Sequence, residues 1–340
     1  MAVFMSGDVE GYDFTLDVVS NRVEEWCSLL FVSHDDSLLA EVLGRSRIEF
    51  EDYVPGILYI STIRFTEFIL VSSQRFLYGD GCPVAFMGSD STITNDFTRF
   101  SSGNYLREYY SEIGTENAYL LEFLHRTHAE GAPVRRMLEV GGGPTIYQLI
   151  SACRRTEEIV FSEYLPGNRE AVRAWRDGAA DAFDWDEYFA FVVRLEGAGD
   201  DTGERIQARK SALRHKLGRI TPYDAKSDDP LPEEQGPFDL IGVNFCLESI
   251  TSNEEEYRFS LGHMTELLAP GGMLVMTALK NAEYYHVGDL KFPAFPVDEK
   301  SVDRYLTDFS YGDIRVGTVP AEHTQGYEGL MTITARKRPA

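Results

Sequence analysis

The sequence predicts an α/β protein, a doubly wound and mostly parallel sheet with a reversed edge strand, preceded by a small α+β segment. Three observations predict it. Short apolar runs rich in β-branched residues alternate with helical patterns from Tyr105 onward. The first of these runs ends in Gly141-Gly142-Gly143, where a strand is expected to turn into a helix. The last two runs are joined by a short link, which permits a hairpin but no helical crossover.

The elements follow in order. Val18 to Phe31 and Ser37 to Leu43 carry helix-like apolar patterns, and Trp26 with its neighbouring aromatics is expected in a core. Ile57 to Phe76 is rich in Ile, Phe, Tyr, Thr and Val and is read as one or two strands, and Tyr78 to Ser91 as turns. Strands are then expected at Val134 to Val140, Ile159 to Ser162, Ala190 to Leu195, Phe238 to Phe245, Met273 to Ala278, Ile314 to Val319 and Leu330 to Arg336. Helices fit between them at Thr145 to Arg154, Arg169 to Asp177, Arg205 to Leu217, Glu254 to Leu268 and Glu299 to Asp308. Gly88 to Asn95 divides the chain into an N-terminal domain, residues 1–95, and a larger domain, residues 96–340.

Composition narrows the function. The 340 residues are 43% hydrophobic, enough for a full-sized core. Against 32 Lys and Arg stand 55 Asp and Glu, a formal net charge of -23 that repels phosphate backbones and anionic lipid headgroups. Nucleic acid and membrane are therefore not expected as partners. The most hydrophobic run, Ile57 to Val71, is interrupted by Arg64 and Glu67 and does not suit a bilayer span. Met1 to Asp13 holds no positive side chain, unlike a secretory signal. Cys27, Cys82, Cys153 and Cys246 lack metal-ligand or disulfide-framework spacing, which suits a reducing cytoplasm. His125 and His128 are read as helix-surface residues and no metal is expected, while Lys210 to Lys216 is read as a solvated helix face.

The sharpest local signal is Glu139-Val140-Gly141-Gly142-Gly143-Pro144-Thr145. Glycines at a strand-to-helix turn let backbone approach a ligand, and the helix start supplies unpaired N–H groups. A pyrophosphate cradle would continue as G-x-G-x-x-G, yet Ile146 stands where its last glycine belongs, so a dinucleotide is disfavoured. Glu163, 24 residues after Glu139, falls where a carboxylate can accept bonds from both hydroxyls of a ribose. A ribose without a pyrophosphate suggests an adenosyl ligand.

Several blocks then occur in a telling order: Tyr105-Leu-Arg-Glu-Tyr-Tyr110, Glu139-Val-Gly-Gly-Gly-Pro-Thr-Ile-Tyr-Gln-Leu-Ile-Ser-Ala-Cys153, Ala182-Phe-Asp-Trp185, Leu268-Ala-Pro-Gly-Gly-Met-Leu-Val275, Ala278-Leu-Lys280 with Tyr284-Tyr285, and Glu328-Gly329 with Thr334-Ala-Arg-Lys337. Over about residues 97 to 338 the chain resembles the S-adenosylmethionine-dependent small-molecule methyltransferases that include the nicotinamide, phenylethanolamine, indolethylamine and thioether enzymes. The resemblance implies a class I methyltransferase fold and S-adenosylmethionine as cofactor, with S-adenosylhomocysteine as its product. It also implies that Tyr105 and Tyr110 cover the ligand, that Glu139, Gly141, Gly142, Gly143 and Thr145 surround its methionine part, and that Glu163, Tyr164 and Asn168 hold ribose and adenine. Asn244 would lie beneath the sulfonium, and Thr221 or Asp224 would meet the adenine edge where the family usually has Asp-Val.

The acceptor side departs from the nicotinamide enzymes. Thr277 stands where they have an acid, and Asn281-Ala282-Glu283 follows Lys280, which removes the expected acceptor for a carboxamide and disfavours nicotinamide. Candidate acceptor contacts are Phe245, Glu248, Thr277, Asn281, Tyr285 and Glu328, with Tyr105, Glu283 and Tyr285 as catalytic candidates. Methyl transfer from a sulfonium is an in-line displacement that needs alignment and a dry site. A protonated amine must lose a proton before attack, a role open to Glu283, Glu248 or Glu328, whereas a thioether has none to lose and the rings of Tyr105, Tyr285 and Phe245 would hold the resulting cation. The expectation is N-methylation of a small amine in specialised metabolism, with S-methylation of a methionine-like thioether as the alternative and non-catalytic ligand binding as the reading from another class. Residues 1–95 fit a dimerisation module, a lid or a docking domain, and the need to cover Ile57 to Val71 favours homodimerisation.

Overall fold

The computed structural model describes backbone in residues 2–9, 12–19, 26–32, 52–54 and 57–64, and the chain through 93–197, 202–234, 236–321 and 326–339. It divides into two compact units, Met1–Met87 and Gly88–Ala340.

In the first unit five strands, β1 (Ala2–Val9), β2 (Tyr12–Val19), β3 (Trp26–Val32), β4 (Asp52–Val54) and β5 (Ile57–Arg64), form an antiparallel sheet of order β1-β2-β3-β5-β4. The helix expected over Val18 to Phe31 is corrected: the ends of that stretch belong to β2 and β3, which pair from Leu16 opposite Phe31 to Val19 opposite Ser28. Its β-branched and aromatic content outweighs the helical spacing of its apolar positions. The helix expected at Ser37 to Leu43, the turns at Tyr78 to Ser91, the side chain of Trp26 and the second part of Ile57 to Phe76 lie outside the described residues.

The second unit opens with a one-turn 3-10 helix at Phe97–Arg99, followed by α1 (Ser102–Tyr110), capped by the Ser101 hydroxyl, and α2 (Thr115–Ala129). Then come β6 (Val134–Val140), α3 (Tyr147–Ala152), β7 (Thr156–Ser162), α4 (Pro166–Asp177), α5 (Asp186–Leu195), α6 (Thr202–Lys216), β8 (Leu217–Thr221) and β9 (Phe238–Asn244). The chain continues through the short α7 (Leu247–Ile250), α8 (Glu254–Leu267), β10 (Leu268–Lys280), the hairpin β11 (Tyr284–Val287) and β12 (Leu290–Pro293), α9 (Glu299–Asp308), β13 (Tyr311–Pro320) and β14 (Gly329–Lys337).

Seven strands form one sheet in the order β13-β14-β10-β9-β6-β7-β8. The β10-β9-β6-β7-β8 run is parallel, while β14 runs antiparallel to both β10 and β13. Side chains alternate across β6, so that Met137 joins the core beneath α1–α6 and Leu138 and Val140 join the core beneath α8 and α9. This is the doubly wound fold the sequence predicts, with the reversed strand set one place in from the edge by the final hairpin.

Three local expectations are corrected. Ala190 to Leu195 ends a helix instead of forming a strand, because Tyr188, Phe189, Val192 and Val193 bury one helical stripe and Asp186, Glu187 and Arg194 suit the helix dipole. His128 is not a surface residue: it is 3% exposed and accepts a hydrogen bond from Arg155 Nε at 3.2 Å. Burial and that guanidinium hold its imidazole down at about 3, so it stays neutral. Nor is Lys210 to Lys216 simply solvated. Lys210 pairs with Asp186, Lys216 Nζ donates to the Cys153 carbonyl at 2.7 Å, and Arg214 lies 5.0 Å above the Trp175 ring. Among the described residues no helix is long and apolar enough to cross a membrane.

Candidate active site

The C-terminal ends of β6, β7 and β9 open into a cavity of about 1040 Å³ roofed by α1 and the β11–β12 hairpin. Parallel strands place a ligand at such an end because the connecting turns and helix starts converge there. The turn after β6 has positive φ at Gly141 (58°) and Gly143 (61°), a backbone state that only glycine enters at little cost. Gly141 is required by packing as well, since a Cβ there would sit 2.1 Å from Cys246 Sγ. A Cβ built on Gly143 would meet nothing within 4 Å, so on that side the residue presents bare backbone to the cavity.

Glu163, 6% exposed at the end of β7, organises this turn. Its carboxylate accepts from Gly143 N–H at 3.0 Å, Leu165 N–H at 2.8 Å and Asn168 Nδ2 at 3.1 Å. Burial pushes its carboxyl above the usual range, and these bonds oppose the shift. Tyr164 is 58% exposed at the cavity rim. Thr145, which lines the cavity, braces the turn by donating to the Gly142 carbonyl at 2.9 Å.

Beneath the floor, Glu139 is fully buried and accepts from Asn244 Nδ2 at 2.9 Å, and Thr277 Oγ1 donates to Asn244 Oδ1 at 3.1 Å. Asn244 lines the cavity, whereas Glu139 and Thr277 hold it in place from below. Burial raises the Glu139 carboxyl to about 7, and its Oε2 has no hydrogen-bond partner among the described residues. That oxygen faces β9 closely: a Cβ on Gly242 would lie 2.2 Å from it and 2.9 Å from Met137 Cε. Gly242→Ala is therefore expected to destabilise the fold by about 2–3 kcal/mol, read as a lower denaturant midpoint at unchanged slope.

Aromatic rings make the opposite wall. Tyr105 lies 5.0 Å from Tyr109 and 5.6 Å from Tyr110, and Tyr110 stacks on Tyr147 at 5.2 Å. Tyr285 stacks on Phe292 at 5.6 Å, and Phe292 meets Phe97 and Phe100. Desolvation pushes the Tyr105 hydroxyl up to about 12, with Glu248 and Glu163 adding to the shift. Phe245 reaches the cavity from a left-handed residue, φ 50°, a strained conformation fixed by its N–H bond to the Thr277 carbonyl at 2.9 Å.

The acceptor candidates separate in space. Glu248, on α7, is fully buried and also outside the cavity lining; it sits one layer behind the wall, accepting at 2.9 Å from the N–H of Leu279, which lines the cavity. Burial raises its carboxyl to about 7, and its Oε2 is without a hydrogen-bond partner among the described residues. Glu283 and Glu328 are corrected: both are exposed and outside the cavity lining, Glu283 in the turn after β10 and Glu328 just before β14. Asn281, at φ 50°, is spent on Glu328 at 2.8 Å and is also outside the lining. Thr221 is likewise not a cavity residue; it is buried, donates to Glu233 at 3.0 Å, and supports Glu163 by accepting its N–H at 3.1 Å. Tyr223, Asp224 and Ala225 line that edge in its place. Sequence reasoning missed Tyr109, Cys246 and Glu116, which also line the cavity. Tyr109 lay within a block already singled out, and Cys246 only two residues beyond Asn244.

The cavity suits a nucleoside carried without a pyrophosphate. Glu163 offers a buried acceptor beside the bare backbone of Gly143, and the turn runs on into Ile146. A doubly wound sheet with one strand, β14, reversed between β10 and β13 and this turn after its first strand β6 defines the S-adenosylmethionine-dependent methyltransferases. A family model described as the NNMT/PNMT/TEMT family matches residues 91–338. Phenylethanolamine N-methyltransferase of Macaca mulatta is 29% identical over 272 residues, covering 75% of this chain and 95% of that protein. The Bos taurus enzyme of the same name is 31% identical over 227 residues, covering 64% and 79%. Nicotinamide N-methyltransferase of Sus scrofa is 28% identical over 254 residues, covering 71% and 94%. Among solved structures, the N-methyltransferase NodS from Bradyrhizobium japonicum WM9 in complex with S-adenosyl-L-homocysteine is similar with a TM-score of 0.42 and 13% identity, covering 67% of this chain and 91% of that one. The chain belongs to the NNMT/PNMT/TEMT family.

Proposed function

We propose that this enzyme transfers the methyl group of S-adenosylmethionine to the nitrogen of a small-molecule amine, and that Glu248 receives the amine's charge. The observation that carries the reading is a fully buried carboxylate with one unpartnered oxygen, set directly behind the cavity wall, where its neighbour Ser249 and its hydrogen-bond donor Leu279 are lining residues. The matched relatives named above are N-methyltransferases, which supports the same reading.

In this scheme Glu163, Asn168 and the Gly143 backbone hold the adenosyl part, Tyr164 covers its rim, and Asn244, steadied by Glu139 and Thr277, lies under the reacting end. The cofactor supplies an electrophilic methyl on a positively charged sulfur. Phe245, Tyr105 and Tyr285 exclude water and present ring faces to the cations on both sides of the reaction. The amine lone pair forms the new C–N bond as the C–S bond breaks and its electron pair stays on sulfur. The proton shed by the amine goes to Glu248, whose raised carboxyl matches a proton relay near neutral pH. The cytoplasm as location and self-association through residues 1–95 belong to the same reading; they rest on cysteine usage and on the apolar run Ile57 to Val71.

The test is methyl transfer from labelled S-adenosylmethionine to panels of primary and secondary amines and of thioethers. Turnover confined to amines supports the reading, and turnover confined to thioethers replaces it. Glu283→Ala, carried through the same assay, is expected to change kcat/KM less than about twofold, since surface charges remote from a site contribute little; a loss of tenfold or more would return Glu283 to the site.

A further inference from the structure

Two serines stand at the start of α1, and the helix uses only one of them. Ser101 is the cap: its Oγ accepts the Asn104 N–H at 3.3 Å. Ser102, half-buried at the first helical position, is not needed for capping and sends its hydroxyl out of the helix. It donates to Asn168 Oδ1 at 2.6 Å, a residue 66 places further along the chain on the first turn of α4. The roof of the cavity is thereby joined to the turn that follows β7.

Asn168 is 3% exposed and lines the cavity. Its Nδ2 donates to Glu163 Oε1 at 3.1 Å, and the same carboxylate takes the N–H groups of Leu165 and Gly143. Three N–H donors converging on one carboxylate use it purely as an acceptor, which fixes the Asn168 amide with its nitrogen toward Glu163 and its oxygen toward α1. A flipped amide would set oxygen against oxygen. The carbonyl side then needs a donor, since a buried amide oxygen rarely goes without one, and among the described residues Ser102 supplies it. Of the two Nδ2 hydrogens one is spent on Glu163, and the other is left to a ligand in the cavity. Hydroxyl, amide and carboxylate form one chain in which each bond polarises the next.

We propose that Ser102 is a positioning residue for the cofactor: from the roof helix it locks the Asn168 amide so that the remaining N–H meets a ribose oxygen of S-adenosylmethionine. This rests on the reading above in which Glu163 and Asn168 hold the adenosyl part. Ser102 is itself outside the cavity lining, so it acts on the cofactor only through Asn168.

The experiment is calorimetric titration of S-adenosylhomocysteine into wild-type, Ser102→Ala, Asn168→Ala and doubly substituted full-length protein. Ser102→Ala leaves the Ser101 cap in place, so the start of α1 is preserved, and thermal unfolding of each apoprotein checks the fold. Ser102→Ala is expected to weaken binding about fivefold, the worth of one buried hydrogen bond. The double variant should bind no more weakly than Asn168→Ala alone, because a hydroxyl that works through an amide has nothing to work on once the amide is gone. In turnover the loss should appear in KM for S-adenosylmethionine, with kcat at saturation changed less than about twofold. The 2′,3′-dideoxy analogue of S-adenosylhomocysteine should bind wild type and Ser102→Ala equally. Penalties that multiply in the double variant, or a penalty as large for the dideoxy analogue, would reduce Ser102 to a support of the roof and overturn the proposal. Wild-type affinity in folded Ser102→Ala, with Asn168→Ala weakened, fails this inference alone. Wild-type affinity in Asn168→Ala fails the ribose reading itself and takes this inference with it.

Discussion

Glu163→Ala is expected to weaken S-adenosylmethionine and S-adenosylhomocysteine binding by at least about 100-fold, because the carboxylate that holds the turn is also the partner proposed for the ligand. Its removal takes the acceptor from the N–H groups of Gly143 and Leu165 and from Asn168 Nδ2, and withdraws the acidic partner proposed for the ribose diol. Calorimetry on wild type and variant measures the loss, and thermal unfolding of both apoproteins shows whether the fold survives. Glu163→Gln keeps one acceptor oxygen and should fall between the two. Wild-type affinity in a folded alanine variant would remove Glu163 from the cofactor site.

Glu248→Gln is expected to lower kcat/KM for amines by about 100-fold with cofactor affinity unchanged, since breaking a buried charge pair costs several kcal/mol. The pH profile separates electrostatics from packing. Wild-type kcat/KM should rise through about pH 7 as the Glu248 carboxyl ionises, and the glutamine variant should lack that limb. Stability should move the other way. The folded value of about 7 lies above the ordinary 4.5, so the carboxyl's contribution to the apoprotein is complete below about pH 4.5 and is lost as pH rises through about 7. Glu248→Gln should therefore raise the wild type's melting temperature at pH 8 and leave it nearly unchanged at pH 4. Equal activity of the two proteins across the pH range would dismiss Glu248 from the acceptor site.

The part of the cavity built by the β6 turn and Glu163 was legible in the sequence because it is local. Glu139 to Thr145 and Glu163 sit at strand ends, and a strand end followed by a tight turn writes its glycines and acids into a short tract. The rest was not, because burial there is decided by elements distant in the chain. Glu248 and Glu283 look alike as letters, yet α7 tucks one under the Leu279 N–H while the turn after β10 turns the other to water. Glu116 and Tyr327 meet only because α2 and the start of β14 share one wall. The misread stretch Ala190 to Leu195 has the same origin: Phe191, Val192 and Val193 are β-formers in isolation, and the stripe that Val192 and Val193 share with Tyr188 and Phe189 emerges only when counted from Asp186.

The roof helix α1 is fastened at both ends of the chamber. Beside Glu163, Ser102 Oγ donates to Asn168 at 2.6 Å; at the β11–β12 hairpin Glu108 accepts from the Gly288 N–H and the Tyr109 hydroxyl donates to the His286 carbonyl at 2.9 Å. Lifting that helix releases neither ligand separately: the two ways out share one bolt. A chamber opened by lifting this nine-residue helix would have to break the bonds at both of its ends in one movement.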